Sequence, residues 1–215
     1  MRSFLLGAVA ALGICPAFVS AAVTINMPSP NTVTATGADQ TIRIEVFGTD
    51  DGTVQNLNGY TIAVQGAGTS LDGKAFGSAQ GVRFSFPANG ASFGTAGRPT
   101  VHPYVFKDLE LPPPVENFGS TGDKLQFAST VVGGTDEQDI DAGHNGFISM
   151  PIVIPANAAP GTYTLSVVTT SLGSAGAPIA STAGTPATLI VVPEPASLGL
   201  VALGGLFALR RRRVA

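Results

Sequence analysis

Charged side chains, cysteine and tryptophan are scarce in this 215-residue chain. Charged residues make up only 12% of it, and the 14 acidic residues outnumber the 11 basic ones. Four of the basic residues stand in one run near the C-terminus, so no basic face is left to neutralise nucleic-acid phosphates. The 27 glycines and 16 prolines exclude a coiled coil or a helical bundle. Hydrophobic residues, at 44%, are numerous enough to build a folded core.

Residues 1–21 have the pattern of a secretory signal peptide. Arg2 supplies the positive start, residues 4–19 are apolar, and Val19 and Ala21 put small side chains before a cleavage point. A transmembrane anchor or a core helix is the alternative, but the run is short for an anchor and no stop-transfer pattern follows it. The only cysteine, Cys15, falls inside this segment. The mature chain is therefore predicted to have no disulfide, so its stability must come from core burial.

Residues 192–215 at the C-terminus carry three features in a fixed order. These are the tripeptide Pro193-Glu194-Pro195, an apolar run over residues 196–209, and the four arginines Arg210, Arg211, Arg212 and Arg213. As a helix the apolar run would be about 21 Å long, which is short of the roughly 30 Å hydrocarbon core of a bilayer. The arginines favour the cytoplasmic side, and their long side chains can reach the interface from a buried helix end. We therefore predict a transmembrane helix over residues 196–209, with the main domain on the outer side.

This combination resembles the PEP-CTERM sorting signal of exported bacterial proteins. The resemblance implies handling by export machinery and by an exosortase, a membrane transpeptidase that cleaves near the tripeptide. It further implies an intermediate held in the inner membrane by the C-terminal helix, followed by transfer to the cell surface or the extracellular matrix. The same tail is also known as the ice-binding protein C-terminal domain, a label that by itself implies no ice binding. A permanent, unprocessed anchor is the alternative, and it has the same topology.

Residues 22–191 are predicted to form one all-β domain. Apolar and polar side chains alternate in several short runs, and turn residues such as Asn58-Gly59 and Pro160-Gly161 separate these runs. In residues 41–47 the alternation places Ile42, Ile44 and Val46 on the inward face and Arg43 and Glu45 on the other, and residues 60–65 repeat it with Tyr60, Ile62 and Val64 inward. Strands are predicted at residues 23–25, 41–47, 60–65, 82–86, 125–132, 147–154, 162–167 and 188–192. The first strand is expected at a sheet edge, and a long loop is expected over residues 107–123. A two-layer antiparallel β-sandwich is the economical arrangement, because each half-apolar sheet must cover the other.

The middle of the chain is similar to cohesin-like and related Ig-like sandwiches. The similarity lies in an alternating strand near the start and in the late sequence Pro160-Gly161-Thr162-Tyr163, where a turn leads into a terminal strand. It is weak and concerns the fold alone. No dockerin-binding surface is carried over to this chain.

Candidate sites for chemistry are few. Gly-x-Ser-x-Gly, His-Glu-x-x-His and P-loop patterns are all missing from the sequence, and His102 and His144 are interpreted as surface or satisfied side chains. Only residues 136–145 are dense in acidic groups, and alternate carboxylates there would suit one calcium ion. The candidate ligands are Asp136, Glu137, Asp139 and Asp141. The spacing is not that of an EF-hand, and a solvated acidic loop is the alternative.

We expect a non-catalytic protein of the cell surface or extracellular matrix. Residues 22–190 hold 13 acidic and six basic side chains, a formal charge of −7, so neither nucleic acid nor an anionic membrane attracts them. A carbohydrate-binding module associated with exopolysaccharide is the alternative, and it predicts exposed aromatic side chains. For that role the chain offers no tryptophan and only Tyr60, Tyr104 and Tyr163. Ice binding would need a regular threonine array, which the sequence lacks, and an enzyme is not expected because candidate groups are so few.

Overall fold

The computed structural model describes residues 22–50, 56–85, 97–107, 115–120, 122–131, 138–141, 143–174 and 177–194. The elements with described bounds are the strands β1 Ala22–Asn26, β2 Asn31–Thr34, β3 Gln40–Thr49, β4 Gly59–Ser70, β5 Arg83–Phe84, β6 Val115–Ser120, β7 Lys124–Thr130, β8 Gly146–Ile154, β9 Gly161–Ser174, β10 Ala177–Ala183 and β11 Ala187–Val192. The predicted signal peptide and the predicted helix over 196–209 lie outside the described residues. Among the residues that are described, no helix is long and apolar enough to span a membrane.

The strands form one continuous hydrogen-bonded path. Its order is β5-β8-β3-β1-β10-β9-β4-β7-β6, and β11 pairs with both β2 and β9. The long strand β9 has three neighbours, because its first part pairs with β11, its end pairs with β10, and β4 runs along its other edge. β11 is therefore hydrogen-bonded directly to β9, the strand with the most neighbours in the described sheet.

The path folds into two layers that share an apolar core. One layer contains β5, β8, β3 and β1, and the other contains β9, β4, β7 and β6 together with β11 and β2. Tyr60 of β4 joins them: its ring centroid lies 4.9 Å from that of Phe147 in β8, and its hydroxyl donates to the carbonyl oxygen of Phe147 at 2.9 Å. The predicted inward residues Ile44, Val46 and Ile62 are at most 1% exposed. Burying each such side chain stabilises the fold by roughly 1.5–3 kcal/mol. The elements with described bounds are all strands, so the all-β prediction is confirmed.

The prediction of a purely antiparallel arrangement with β1 at an edge was wrong. β1 pairs in parallel with β10 and antiparallel with β3, and β11 pairs in parallel with β2. With a neighbour on each side, β1 buries Val23 and Ile25 completely. Alternation along a strand reports which face is buried, but it carries no information on how many neighbours the strand has or on their direction.

Three strands were not predicted. β6 lies inside the loop expected over residues 107–123, where it pairs with β7. β2 has only four residues, which is too short for a periodic signal. β10 is largely exposed along its length, so it becomes a strand because β1 and β9 pair with it, and not because of its own apolar pattern.

Candidate functional site

The C-terminal tail starts directly at the end of a strand inside the sheet. β11 lies between β2 and β9, and its Leu189 and Val191 are buried in the core. The N–H of Ala35 donates to the carbonyl oxygen of Val192 at 2.9 Å, so pairing continues to the last residue of β11. Pro193 follows at once and, having no N–H, cannot extend the ladder. The domain therefore passes into the tail without an intervening linker.

The predicted sorting residues are only partly within the described chain. Pro193 and Glu194 are described and stand next to the end of β11. The others lie outside the described residues: Pro195, Arg210, Arg211, Arg212 and Arg213.

The acidic stretch contains one carboxylate that closes its own turn and one with a buried oxygen that lacks a hydrogen-bond partner. Asp141 Oδ1 accepts the N–H of Gly143 at 2.6 Å and lies 3.3 Å from His144 Nδ1. Asp139 Oδ1 is buried without a hydrogen-bond partner. The remaining candidate calcium ligands lie outside the described residues: Asp136 and Glu137. Groups of three potential metal-binding side chains are absent from the part of the chain that the structure describes, so the calcium site stays a prediction.

The three tyrosines that a sugar-stacking platform would need are inside the protein. Tyr60, Tyr104 and Tyr163 are at most 3% exposed. The hydroxyl of Tyr104 lies 3.0 Å from that of Ser129 in the core, and burial raises the pKa of Tyr163. None of the tyrosines can therefore stack on a sugar at the surface.

A pocket with charged and apolar lining residues lies on the outer face of the β3–β8 pair. Alternation along β3 turns Arg43 and Glu45 away from the core, and Ser149 of β8 stands directly opposite Glu45. Residues 97–102 cross over this face before Tyr104 enters the core. The pocket has a volume of about 560 Å³, and its lining includes Arg43, Glu45, Arg98, Val101, His102 and Ser149.

Glu45 fastens the crossing segment to the sheet. Its Oε1 accepts the N–H groups of Thr100 at 2.6 Å and Val101 at 3.0 Å, and its Oε2 accepts that of His102 at 2.9 Å. Burial, the largest single influence, raises the pKa of Glu45. Together, however, the backbone hydrogen bonds and the bond from the His102 ring outweigh it and lower the pKa from 4.5 to about 2. Glu45 is thus ionised at neutral pH, and its carboxylate holds residues 100–102 in place as a wall of the pocket.

The ring of His102 is fixed from two sides. Its Nδ1 lies 3.0 Å from Glu45 Oε2, and the ring stacks on Phe47 with centroids 3.8 Å apart and an interplanar angle of 3°. An ionised carboxylate only accepts hydrogen bonds, so Nδ1 carries the proton and Nε2 is the acceptor in the neutral ring. The interpretation of His102 as a satisfied side chain is confirmed, and its Nε2 makes no hydrogen bond to the described residues.

The sequence did not predict the contact between Glu45 and His102. The two residues are 57 positions apart, and the alternation along β3 assigned Glu45 to a solvent-facing surface. The one available signal was His102-Pro103, because a residue before proline favours an extended backbone. That preference marks a connecting segment, but it does not indicate which carboxylate the segment meets.

Comparison with known families identifies the C-terminal tail. Residues 191–213 match the family model described as the PEP-CTERM protein-sorting motif. The C-terminal segment is a PEP-CTERM sorting motif. Its match begins at Val191, inside β11, so the motif and the domain overlap by the last two residues of the strand. This motif indicates an exported protein with a membrane-anchored sorting intermediate, and it agrees with the resemblance drawn from the sequence. No curated protein matches the chain.

Comparison with solved structures finds cohesin domains, the group that the middle of the sequence resembles. A chain of a type I cohesin–dockerin complex from Clostridium thermocellum is 8% identical, with 81% of this chain and 94% of that chain covered and a TM-score of 0.47. A non-cellulosomal cohesin from Archaeoglobus fulgidus is 5% identical, with coverages of 84% and 96% and a TM-score of 0.44. A cohesin module from a Clostridium perfringens family 33 glycoside hydrolase is 8% identical, with coverages of 81% and 100% and a TM-score of 0.46. At such low similarity these neighbours carry no conclusion about what the domain binds.

Proposed function

We propose that this chain is a non-catalytic protein of the cell surface or extracellular matrix, sorted by an exosortase through its C-terminal motif. The observation that carries the proposal is the PEP-CTERM motif at residues 191–213, joined without a linker to β11. In this account residues 196–209 hold the exported domain at the inner membrane for a time, with Arg210–Arg213 on the cytoplasmic side. Cleavage near Pro193-Glu194-Pro195 then removes the helix and releases the domain outward.

The position of the tripeptide supports cleavage without damage to the fold. The last core side chain of the domain is Val191, which is 1% exposed, and Pro193 already stands beyond the final strand hydrogen bond. A cut at or after Glu194 would therefore leave every core residue in place. A cut that removed β11 would instead strip Leu189 and Val191 from the core.

Fractionation of an exosortase-bearing bacterium tests the proposal. We expect the wild-type protein in the surface or extracellular fraction. A variant with Arg210–Arg213 changed to glutamine should be sorted less efficiently, because the positive end that sets the orientation of the helix is lost. The matched control removes four positive charges from the exported domain instead, by changing Lys74, Arg83, Lys107 and Lys124 to glutamine, and should be sorted normally. Wild-type and variant proteins that distribute alike would contradict the proposal.

A calcium ion bound by the acidic stretch remains a second proposal, independent of sorting. The candidate ligands are Asp136, Glu137, Asp139 and Asp141. Asp139 Oδ1 and Asn145 Oδ1 are buried acceptors without hydrogen-bond partners, which supports the idea because an oxygen-seeking cation would satisfy such atoms.

A further inference from the structure

We propose that the pocket on the outer face of β3 and β8 binds an acidic saccharide through the carboxylate of a uronate-type sugar unit. Arg43 would make the main contact, and the segment held by Glu45 would form the wall. The inference deepens the carbohydrate-binding alternative, but it replaces aromatic stacking with recognition of charge. It does not depend on the sorting tail, because none of the pocket residues lies in residues 191–213.

Arg43 is an exposed guanidinium that is already held in place. Its Nη1 donates to the carbonyl oxygen of Ser149 at 3.1 Å, which restrains the side chain against β8. A guanidinium has five N–H donors in a planar fork, and no carboxylate among the described residues forms an ion pair with Arg43. The remaining donors match the two oxygens of a carboxylate, which is the group that arginine binds in a bidentate manner.

The pocket presents a guanidinium without an ion pair among the described residues, although the domain is acidic. Arg43 and Arg98 both line it, and the guanidinium carbon of Arg98 lies 4.8 Å from the ring centroid of Tyr104. Glu45, the one carboxylate among the described lining residues, already accepts three backbone N–H groups. Arg43 has no ion pair among the described residues and the carboxylate of Glu45 is engaged, so Arg43 makes this lining attractive to an anion, whereas residues 22–190 as a whole carry a formal charge of −7.

The rest of the lining suits a polyhydroxylated ligand. The volume of about 560 Å³ is typical of a site for a small molecule. Ser149 offers a hydroxyl and His102 Nε2 offers an acceptor, so both can bond to sugar hydroxyls. Val101, which is 79% exposed, and Pro28 provide apolar surface for the C–H groups of a sugar ring. Because the three tyrosines are buried, none of them offers a neutral sugar a stacking surface, and we expect the carboxylate to supply the selectivity.

Titration calorimetry on the full chain in mild detergent tests the inference. The probe is an oligogalacturonate, and the comparison ligands are a neutral galacto-oligosaccharide and inorganic phosphate. We expect saturable binding of the oligogalacturonate alone. Arg43→Gln should weaken that binding about tenfold or more, because a charge-assisted bidentate contact is lost. Lys124→Gln, which removes the same charge from β7 in the other layer, should leave binding within about twofold.

Three results would overturn the inference. They are the absence of saturable oligogalacturonate binding to the wild type, equal or tighter binding of the neutral sugar or phosphate, and an equal loss in the Lys124→Gln and Arg43→Gln variants. The thermal midpoint shows whether Arg43→Gln is folded. If that variant is unfolded, Arg43→Lys replaces it in the test. The lysine keeps the positive charge but lacks the planar guanidinium, so this variant should bind with intermediate affinity. Normal sorting of the Arg43 variants would show that a failure here leaves the proposed function untouched.

Discussion

Replacing Glu45 by glutamine removes the charge that fastens residues 100–102 to β3. Glutamine keeps one acceptor oxygen, but its NH₂ group would face backbone N–H donors that now point at a carboxylate. The pKa of Glu45 is lowered from 4.5 to about 2, because the hydrogen bonds from the segment outweigh the effect of burial. At 1.36 kcal/mol per pKa unit, that difference corresponds to about 3 kcal/mol of folding stability at pH 7.

The stabilisation that Glu45 contributes decreases as the pH falls. A depressed pKa in the folded state means that the ionised carboxylate stabilises the fold above pH 4.5, and that this contribution is lost as the pH falls toward 2. The linkage relation leaves about 1 kcal/mol of it at pH 3. Urea unfolding at pH 7 and pH 3 should therefore show a gap between wild type and Glu45→Gln that shrinks by roughly 2 kcal/mol on acidification.

A matched control separates this effect from general charge repulsion. Asp50→Asn also removes one negative charge, at a residue without a hydrogen bond in the described structure, and its gap to the wild type should be small at both pH values. A Glu45→Gln gap that is equally large at pH 7 and pH 3 would refute the reasoning, because it would show that the charge on Glu45 does not stabilise the segment.

Two further predictions concern the core and the acidic stretch. Phe127→Ala should lower the free energy of unfolding by about 3–5 kcal/mol, because the side chain is fully buried between the layers. Val168→Ala, at a residue that is 49% exposed, should change it by less than about 0.5 kcal/mol, and equal losses in urea unfolding would contradict the assigned core. Calcium should raise the thermal midpoint of the wild type and chelation should reverse the rise, whereas Asp139→Asn should abolish the response. A midpoint that calcium leaves unchanged would remove the calcium proposal.

Local patterns predicted the strands whose one face is buried against the other layer. The alternation of Ile44 and Val46 with polar neighbours, and that of Tyr60 with Ile62, places each of these side chains in the core as expected. Hydrophobic burial is a property of each strand taken alone, so periodicity can report it. The pairing of β1 with β10 depends instead on two segments more than 150 residues apart, and no local signal encodes that distance.

The pocket escaped prediction for a related physical reason. Glu45 has the side-chain type and the strand position of a solvent-facing residue, yet it is only 9% exposed because residues 97–102 cover it. The covering segment has no apolar period and is held mainly by hydrogen bonds to a single carboxylate. The tail is the opposite case, since its tripeptide, apolar run and arginines are adjacent in the chain and were predicted from adjacency alone.

The identity of the final C-terminus tests the central claim most directly. The intact mass of the protein recovered from the cell surface, compared with that of the membrane-bound form, reports both ends of the mature chain. We predict a surface form that starts near residue 22 and ends near Pro193-Glu194-Pro195, without residues 196–215. A surface form that still carries Arg210–Arg213 would contradict processing of the PEP-CTERM tail.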